Sequence, residues 1–584
     1  MAQNTASFPP RADGWPTRRV RFANRLHARL SAFSSPATAF LSQPEPRTIG
    51  SFARGKQLTA GNFMFAGHLV EHGDGSIWTI KAPSIAFDQA MHGFSWLDDL
   101  AAVGDVPARA AGQGWVWEWI AKFGRGTGPG WTPDLTGRRL IRWINHAIML
   151  LNGAETQQSE DYFRSLGQQT IFLSRRWASA TPGLPRFEAL TGLIYAGLAL
   201  KGMDRHVRPA MRALAVECQS QIDAEGGIPT RNPEELLEVF TLLTWAAAAL
   251  SESGHMAMKE HLLAIERIAP TLRALRHADG GLARFHGGGR GLEGRLDHAL
   301  AASGVRATAN TGLSMGYARL SGARTSVIID ASSPPVLEAS HQAHASTLAF
   351  ELTSGRRPLI VNCGSGISFG EEWRQAGRAT QTHSTLSIEG FSSSRLGARR
   401  LVRGVESELL VETPKNVRVQ QSKGPDGMSI LMGQDGYVDT HGLTHIRRLD
   451  LSNDGRVLSG EDTLGALNDN EKRRFEMYLN RVSIEGVPFH VRFHIHPDVE
   501  AGLDLGGRAI SLALKSGEVW VFRREGPSKM TLQSGVYLET GRLKPRSAQQ
   551  IVLSASVTDY AHQVNWTLAK AQDTPSNIRD LNLD

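Results

Sequence analysis

The sequence predicts an α+β multidomain protein, with an N-terminal α-helical toroid or solenoid followed by a C-terminal antiparallel β-sandwich. Three observations predict this class. The chain has 584 residues, which is more than one hydrophobic core usually organises. Apolar residues recur at helical spacing between about residues 90 and 275. After about residue 305 the segments become short, and apolar and polar residues alternate along them.

The helical part contains long segments with apolar residues at positions i, i+3, i+4 and i+7. Glycine or proline separates these segments, which have similar lengths and fairly even spacing. Helical hairpins packed side by side produce this pattern, although the sequence contains no strict repeat. Representative segments are LIRWINHAIMLLNG, RFEALTGLIYAGLALKG and PEELLEVFTLLTWAAAALSESG.

The second half contains strand-like segments such as TSVIIDAS, STLAFELTSG and RPLIVNCGSG, separated by turn residues as in a sandwich. A glycine-rich stretch at residues 277–298 joins the halves. It follows no strand and lacks the Lys-Ser/Thr of a P-loop, so we interpret it as an interdomain loop. The predicted divisions are a basic N-terminal segment and lead-in at 1–85, a helical domain at 86–300 and a β-sandwich at 301–584.

The charge balance is moderately basic, with a formal net charge of +7 and a sequence pI near 9.5. This balance fits an acidic polysaccharide, a nucleic acid or an anionic lipid without choosing among them. Residues 18–29 are arginine-rich and predict a basic amphipathic helix. Its simplest interpretation is a solvated face, and the alternative is contact with a membrane or a polyanion. The N-terminus lacks the apolar region of a secretory signal, and no apolar run reaches transmembrane length. We therefore expect a cytoplasmic protein without a transmembrane segment.

One motif is more specific than the architecture. AHASTLAFELTSGRRPLIVNCGSG and RATQTHSTLSIEG resemble the C-terminal domain of the heparinase II/III-like family, and NTGLSMGYARLSGARTSVIID resembles its preceding strand pair. The matching positions are His344, Asn362, Gly364, Arg378 and His383, with Tyr317 in the earlier strand pair. The resemblance implies a polysaccharide lyase whose helical part is an α/α toroid, an incomplete helical barrel.

The resemblance also implies one structural zinc ion in the sandwich, held by His344, Asn362 and His383. The family has aspartate where this chain has Asn362, and a neutral amide oxygen is a poorer zinc ligand than a carboxylate. Cys363 is adjacent, but neighbouring side chains on a strand point to opposite faces. The alternative is a hydrogen-bonded polar cluster where the sandwich meets the toroid.

The helical half departs further from the family pattern. Pro185 and Arg186 stand where the family has Asn-His, and Glu235 stands where it has a tyrosine proposed as base or acid. Gln342 replaces the first histidine of the family's His-x-His, and His341 is one residue away.

β-Elimination from a uronate needs a cation for the carboxylate, a base for the C5 proton and an acid for the leaving O4. Arg186 and Arg231 are candidates for the cation, because a guanidinium grips a carboxylate with two hydrogen bonds. The candidate bases are His341, His344 and His383, and the candidate acids are Tyr317 and Glu235. Arg378 and Gln342 complete the expected substrate-binding set. The structural alternatives are salt bridges for the arginines, a helix first turn for Glu235 and a core position for Tyr317.

Three functions remain open from the sequence. The first is a lyase acting on an acidic, uronate-containing polysaccharide or oligosaccharide. The second is a non-catalytic glycan-binding or envelope-assembly protein that has lost the lyase residues. The third is a glycoside hydrolase with paired carboxylates such as Glu188 and Glu235. In each case we expect a glycan partner and no nucleic acid. The resemblance adds the periplasm or cell envelope as an alternative location.

Overall fold

The fold is described from a computed structural model of the chain. It describes residues 15–34, 37–42, 45–306, 312–402, 405–481 and 485–573. The first part of the predicted N-terminal segment, residues 1–14, and the start of the predicted sandwich domain, residues 307–311, lie outside these ranges.

The N-terminal half is helical, as the periodicity predicts. Its helices are α1 (Trp15–Ser31), α2 (Phe52–Thr59), α3 (Ile85–Gly93), α4 (Trp96–Val103), α5 (Val106–Phe123), α6 (Pro133–Asn145), α7 (Ala147–Leu151), α8 (Thr156–Arg176), α9 (Leu184–Ala199), α10 (Val207–Gln221), α11 (Pro233–Glu252), α12 (Lys259–Ala274) and α13 (Arg295–Ala302). A short hairpin of β1 (Asn62–Phe65) and β2 (His68–Glu71) follows α2. Within the described residues, no helix is long and apolar enough to cross a membrane.

Local sequence explains where the helices begin. Asp105 accepts a hydrogen bond from the Ala108 N–H at the start of α5, and Asn232 accepts from the N–H groups of Glu234 and Glu235 at the start of α11. These side chains satisfy amide groups that have no partner inside the helix. Proline in the first turn of both helices removes a further unpaired N–H.

Two glycines allow α6 and α9 to pack closely. A methyl group on Gly137 would lie 2.3 Å from the carbonyl oxygen of Glu188, and one on Gly192 would lie 2.4 Å from the Cα of Gly137. Both distances are shorter than a van der Waals contact, so the backbones touch only because neither residue has a side chain. The surrounding core is rich in buried indoles, including Trp96, Trp119 and Trp143.

We expect Gly137→Ala to lower the free energy of unfolding by about 1–3 kcal/mol, because the added methyl overpacks the contact with α9. The matched control is Gly114→Ala in α5, where an added methyl has nothing within 4 Å. That change should raise stability by about 0.5–1 kcal/mol, since alanine is the better helix former. Chemical denaturation of both variants measures the two effects, and equal effects would contradict the packing argument.

The C-terminal half is built from β-strands. They are β3 (Tyr317–Gly322), β4 (Thr325–Asp330), β5 (Phe350–Ser354), β6 (Arg357–Val361), β7 (Leu386–Ile388), β8 (Arg395–Leu396), β9 (Arg400–Val402), β10 (Val405–Ser407), β11 (Leu410–Val411), β12 (Val417–Lys423), β13 (Gly427–Tyr437), β14 (Leu443–Ser452), β15 (Val457–Gly465), β16 (Val487–Ile495), β17 (Val499–Asp504), β18 (Ala509–Leu514), β19 (Val519–Glu525), β20 (Lys529–Tyr537), β21 (Arg546–Val557) and β22 (Ala561–Gln572). Short helices α14 (Glu371–Ala376), α15 (Val438–His441) and α16 (Asp469–Arg481) interrupt them.

Two antiparallel sheets form the sandwich. One has the strand order β12-β13-β14-β15-β22-β19-β18-β17, and the other has the order β20-β21-β16-β6-β5-β4-β3, with β7 also paired to β16. Aromatic side chains from both sheets meet between them: Phe350 stacks on Trp566 with ring centroids 6.0 Å apart, and Phe493 lies 4.7 Å from Trp566. The predicted order of a helical domain and an antiparallel sandwich is confirmed.

The loop after α12 and the β1–β2 hairpin are among the parts of the helical half that contact the sandwich. The loop after α12 carries Arg284, whose N–H donates to the Glu351 carboxylate at 3.0 Å and whose guanidinium bonds the Tyr537 hydroxyl. At the tip of the β1–β2 hairpin, a methyl group on Gly67 would lie 1.8 Å from the carbonyl oxygen of Ser368. The glycine-rich stretch and the lead-in therefore both touch the sandwich.

Candidate functional site: a buried polar network between the domains

Six buried polar residues connect the helical domain to the sandwich. We call them the interdomain network, and they are Arg231, His286, Tyr317, Asp330, His344 and His383. The helical domain and its exit loop supply Arg231 and His286, and the sandwich supplies the other four. The sequence analysis named four of the six as candidate site residues, namely Arg231, Tyr317, His344 and His383.

Arg231 joins the two domains directly. Its Nη2 donates to Asp330 Oδ1 at 2.6 Å, and its Nε donates to the carbonyl oxygen of Met315 at 3.0 Å. The Tyr317 hydroxyl in turn donates to the Arg231 carbonyl oxygen at 2.6 Å, and the Arg231 guanidinium carbon lies 4.7 Å from the Tyr317 ring centre. Arg231 and Met315 both have positive φ angles, of 50° and 52°. Strained backbone of this kind persists only where the surrounding contacts enforce it.

The histidines extend the network into the sandwich. His286, with a φ of 48°, lies with its Nε2 3.4 Å from Asp330 Oδ2, and its Nδ1 accepts the backbone N–H of His344 at 3.2 Å. His344 Nδ1 and His383 Nε2 are 3.0 Å apart. Because His383 Nδ1 lies 2.8 Å from the Ala379 carbonyl oxygen, it carries the proton there, and His344 donates to His383 Nε2.

Burial and neighbouring charges shift the titration of these groups. Burial lowers the pKa of His344 well below its usual value and that of His383 to about 4, and the pKa of His286 is also lowered. Burial alone would raise the pKa of Asp330, but the Arg231 charge together with the contacts of His286 and the Ser346 hydroxyl outweighs it and lowers that pKa. Burial raises the pKa of Tyr317 well above its usual value. At neutral pH the network therefore holds one ion pair and neutral imidazoles.

The zinc ligands expected from the resemblance make other contacts. Asn362 Oδ1 accepts the N–H of Ser384 at 3.0 Å, and His344 bonds His383. Among the described residues, no group of three or more His, Cys, Asp or Glu could hold a metal ion. Two imidazoles and one engaged amide do not fit a structural zinc site, which needs four nitrogen, thiolate or carboxylate ligands. The zinc ion remains a prediction, and no step of the function depends on it.

Asn362 and Cys363 follow the end of β6, so the strand alternation used to separate them does not apply. They nevertheless turn to different partners, because Cys363 Sγ lies 3.3 Å from His494 Nδ1. His344 likewise lies outside a strand. It precedes β5, which begins at Phe350, and it follows the 3-10 helix formed by residues 337–342.

The hydrogen bonds of Arg186 and Glu235 described below join them to residues outside the interdomain network. Arg186 Nη1 donates to Glu217 at 3.1 Å, and the rest of its guanidinium bonds the carbonyl oxygens of Ala178 and Ala180. Glu235 lies in the first turn of α11 and accepts from the Thr230 hydroxyl at 2.9 Å. A salt bridge for Arg186 and a place in a helix first turn for Glu235 are the structural alternatives given in the sequence analysis.

Three predicted residues lie on the sandwich side of the network. Arg378 is buried and donates at 2.8 Å to three carbonyl oxygens, those of Ser340, Ala343 and Glu408. Gln342 packs against Gly287, next to His286. His341 is half-buried on the 3-10 helix, with Nδ1 3.1 Å from the Glu338 carbonyl oxygen. Arg378 therefore fixes the loop that carries His344.

Sequence reasoning missed His286 and Asp330. Asp330 ends an apolar strand, where a charged residue was a usable signal, and His286 lies in the glycine-rich loop without any spacing motif. Their pairing was not visible because it joins the exit loop of one domain to a strand of the other.

Chemically, the network is a closed structural unit. Tyr317 and His383 are 1% exposed and His344 is 5% exposed, so three of the candidate groups for proton transfer are buried against protein partners. The buried Arg231–Asp330 pair instead links the domains, and removing either charge leaves the other unpaired.

Comparisons with known proteins agree with this architecture. A crystal structure of heparinase III matches with a TM-score of 0.65 at 14% identity, over 94% of this chain and 89% of that one. Heparan sulfate lyase from Pedobacter heparinus matches with a TM-score of 0.55 at 13% identity, over 95% and 89% of the two chains. FtsZ-localized protein C of Caulobacter vibrioides is 29% identical over 562 residues, which cover 94% of this chain and 93% of that protein.

The fold is thus that of the polysaccharide lyases in which a helical toroid precedes a β-sandwich. Residues 305–567 match the family model described as heparinase II/III-like, C-terminal. The resemblance to that family found in the sequence is confirmed over these residues.

Proposed function

We propose that the protein is a non-catalytic, glycan-binding member of the lyase fold that works in envelope assembly at the division site. One observation carries the proposal: the polar groups expected to perform β-elimination are engaged by protein partners. The Tyr317 hydroxyl donates to the Arg231 carbonyl, and His344 bonds His383. A lyase needs these groups free to contact the sugar.

The cationic groups support the same conclusion. Arg186 is neutralised by Glu217, and Arg231 by Asp330. Neither guanidinium is left to neutralise a uronate carboxylate, which is what makes the C5 proton acidic enough to remove. Binding of an acidic glycan remains part of the proposal because the solved relatives of this fold include a heparan sulfate lyase.

The proposed location at the division site is based on the similarity to FtsZ-localized protein C. FtsZ-localized protein C matches nearly the whole chain and, by its name, is found with FtsZ. We infer that this protein is also recruited to the FtsZ assembly. A fluorescent fusion is expected to form a midcell band that disappears when FtsZ is depleted. A diffuse signal in cells with intact FtsZ rings would contradict this location.

The lyase assay tests the central claim. The wild-type protein is incubated with heparin, heparan sulfate, hyaluronan, alginate and bacterial acidic exopolysaccharides, and the ultraviolet absorbance of an unsaturated uronyl product is followed. We expect a flat trace with every polymer, no release of reducing ends, and measurable binding of at least one acidic polymer.

The control variant is Tyr317→Phe, which removes only the hydroxyl group. A rise in absorbance that this variant abolishes would establish a lyase and overturn the proposal. Release of reducing ends without a rise in absorbance would establish a hydrolase and would overturn it equally.

A further inference from the structure

The sheet that runs from β12 to β17, called the β12–β17 sheet below, has two free edges. β12 (Val417–Lys423) forms one edge and β17 (Val499–Asp504) forms the other, and among the described residues neither pairs with a further strand. The outward N–H and C=O groups of an edge strand can pair with a strand of another chain. Both edges are therefore candidate contact surfaces.

The two edges carry opposite charges. The charged side chains of β12 are Arg418 and Lys423, and both residues are exposed. Those of β17 are Glu500 and Asp504, which are also exposed. Charges of one sign on both edges would keep copies of the chain apart, because like charges on facing strands destabilise the pair. Opposite signs instead favour pairing of β12 in one copy with β17 in another.

An apolar side chain on β17 is left exposed at the same edge. Strand alternation places Val499, Ala501 and Leu503 on one face of β17. The first two pack in the sandwich core, whereas Leu503 is 59% exposed. On β12, Val417 and Val419 pack against the same core. A β12 strand added beside β17 would cover Leu503 with a valine and keep the core faces of the two sheets continuous.

Strand direction permits this continuation. Seven antiparallel pairings lead from β12 to β17, so these two strands run in opposite directions. A copy added by a translation along the sheet therefore brings its β12 antiparallel to β17 of the first copy. When Leu503 lies opposite Val419 in such a pair, Asp504 lies opposite Arg418. Because unlike edges meet, each added copy leaves one edge free, and the assembly does not close.

The other sheet of the sandwich differs in both respects. Its edge strands β20 and β3 carry Lys529 and Arg319, which have the same sign of charge. Six antiparallel pairings separate these strands, so they run in the same direction. Arg319 also donates to the carbonyl oxygens of Ala274 and Arg276. Of the two sheets, the β12–β17 sheet is the one suited to continue between copies.

We propose that copies of this chain associate head to tail, with β12 of one copy added to β17 of the next, so that the β12–β17 sheet continues through an open filament. Arg418 and Asp504 form the charge contact, and Val419 covers Leu503. A single strand pair is a small interface, so the association is weak and builds up with protein concentration. This inference goes beyond the proposed function and does not depend on it.

Light scattering of the full chain over about a hundredfold range of concentration tests the association. We expect the weight-average mass to rise with concentration beyond that of two copies. The mass should fall towards that of one copy when the salt concentration is raised from about 0.1 M to about 1 M, because the Debye length shortens from about 10 Å to about 3 Å. A constant mass at every concentration, or growth that stops at a dimer, would overturn the proposal.

Charge reversal identifies the surfaces that meet. Arg418→Glu and Asp504→Arg should each weaken the association at least about fivefold, since like charges then face each other across the strand pair. A mixture of the two variants should associate again, because the reversed edge of one variant meets the reversed edge of the other. This recovery also establishes that both variants are folded. A mixture that stays monomeric would contradict the pairing of these edges.

The matched control is Lys529→Glu, which reverses an exposed charge on an edge strand of the other sheet. This variant should associate like the wild type. Equal weakening by Lys529→Glu, or wild-type association in both Arg418→Glu and Asp504→Arg, would place the contact elsewhere and overturn the assignment.

Discussion

Replacing Asp330 with alanine should lower the free energy of unfolding by about 3–5 kcal/mol. Asp330 is fully buried, and its carboxylate pairs with the Arg231 guanidinium and accepts a hydrogen bond from the Ser346 hydroxyl at 2.7 Å. Without it, the positive charge of Arg231 stays in the interface with only carbonyl oxygens around it. An unpaired buried charge costs far more than the loss of an exposed ion pair.

Chemical denaturation followed by both circular dichroism and tryptophan fluorescence measures this loss. The matched control is Asp439→Ala, which breaks the exposed ion pair with Arg474 at 2.8 Å and should change stability by only about 0–1 kcal/mol. A loss for Asp330→Ala no larger than for the control would show that the network does not hold the domains together.

The stability of the helical domain should fall as the solution is acidified, and His92 is a principal cause. His92 is buried, and the Trp119 indole N–H donates to its Nδ1 at 3.0 Å. Burial, together with the charges of Arg139 and Lys122, lowers its pKa to about 3. Protonation of Nδ1 would break the bond to Trp119 and place a charge in the core.

The direction of the effect follows from proton binding. In the unfolded chain a histidine takes up a proton below about pH 6.5, whereas the folded His92 stays neutral until about pH 3. Protons therefore favour the unfolded state between these values. The stability is fully present above pH 6.5, is lost progressively below it, and His92 accounts for about 2 kcal/mol of the loss at pH 5.

The variant His92→Asn isolates this contribution, because the amide oxygen can accept the Trp119 N–H but does not titrate. The loss of stability between about pH 7.5 and pH 5 should be about 2 kcal/mol smaller in the variant than in the wild type. Any packing defect affects both pH values and cancels in the difference. The exposed His255, replaced by asparagine, is the control, and an unchanged pH dependence in His92→Asn would refute the assignment.

Much of the fold could be predicted because it depends on local patterns. The 3.6-residue period identified the helices, alternation identified the strands, and the glycine-rich stretch at 277–298 marked the change between them. The motif around His344 and His383 also predicted a shared site, and the structure places their ring nitrogens 3.0 Å apart. The strand boundaries were less accurate, because the segment predicted from residue 346 begins as β5 only at Phe350, and the preceding residues 337–342 form a 3-10 helix.

The sequence by itself determined the order of a helical half and an antiparallel sandwich, the resemblance of the C-terminal half to a known family, and the candidate site residues. Only the tertiary structure decided whether they are available to act. Tyr317 and Arg231 are separated by 86 positions yet bond each other, and Asp330, 99 positions from Arg231, neutralises it. Such pairs depend on how two domains meet, and no local periodicity encodes that contact. For this reason a sequence that resembles a lyase folds with the corresponding groups buried against one another.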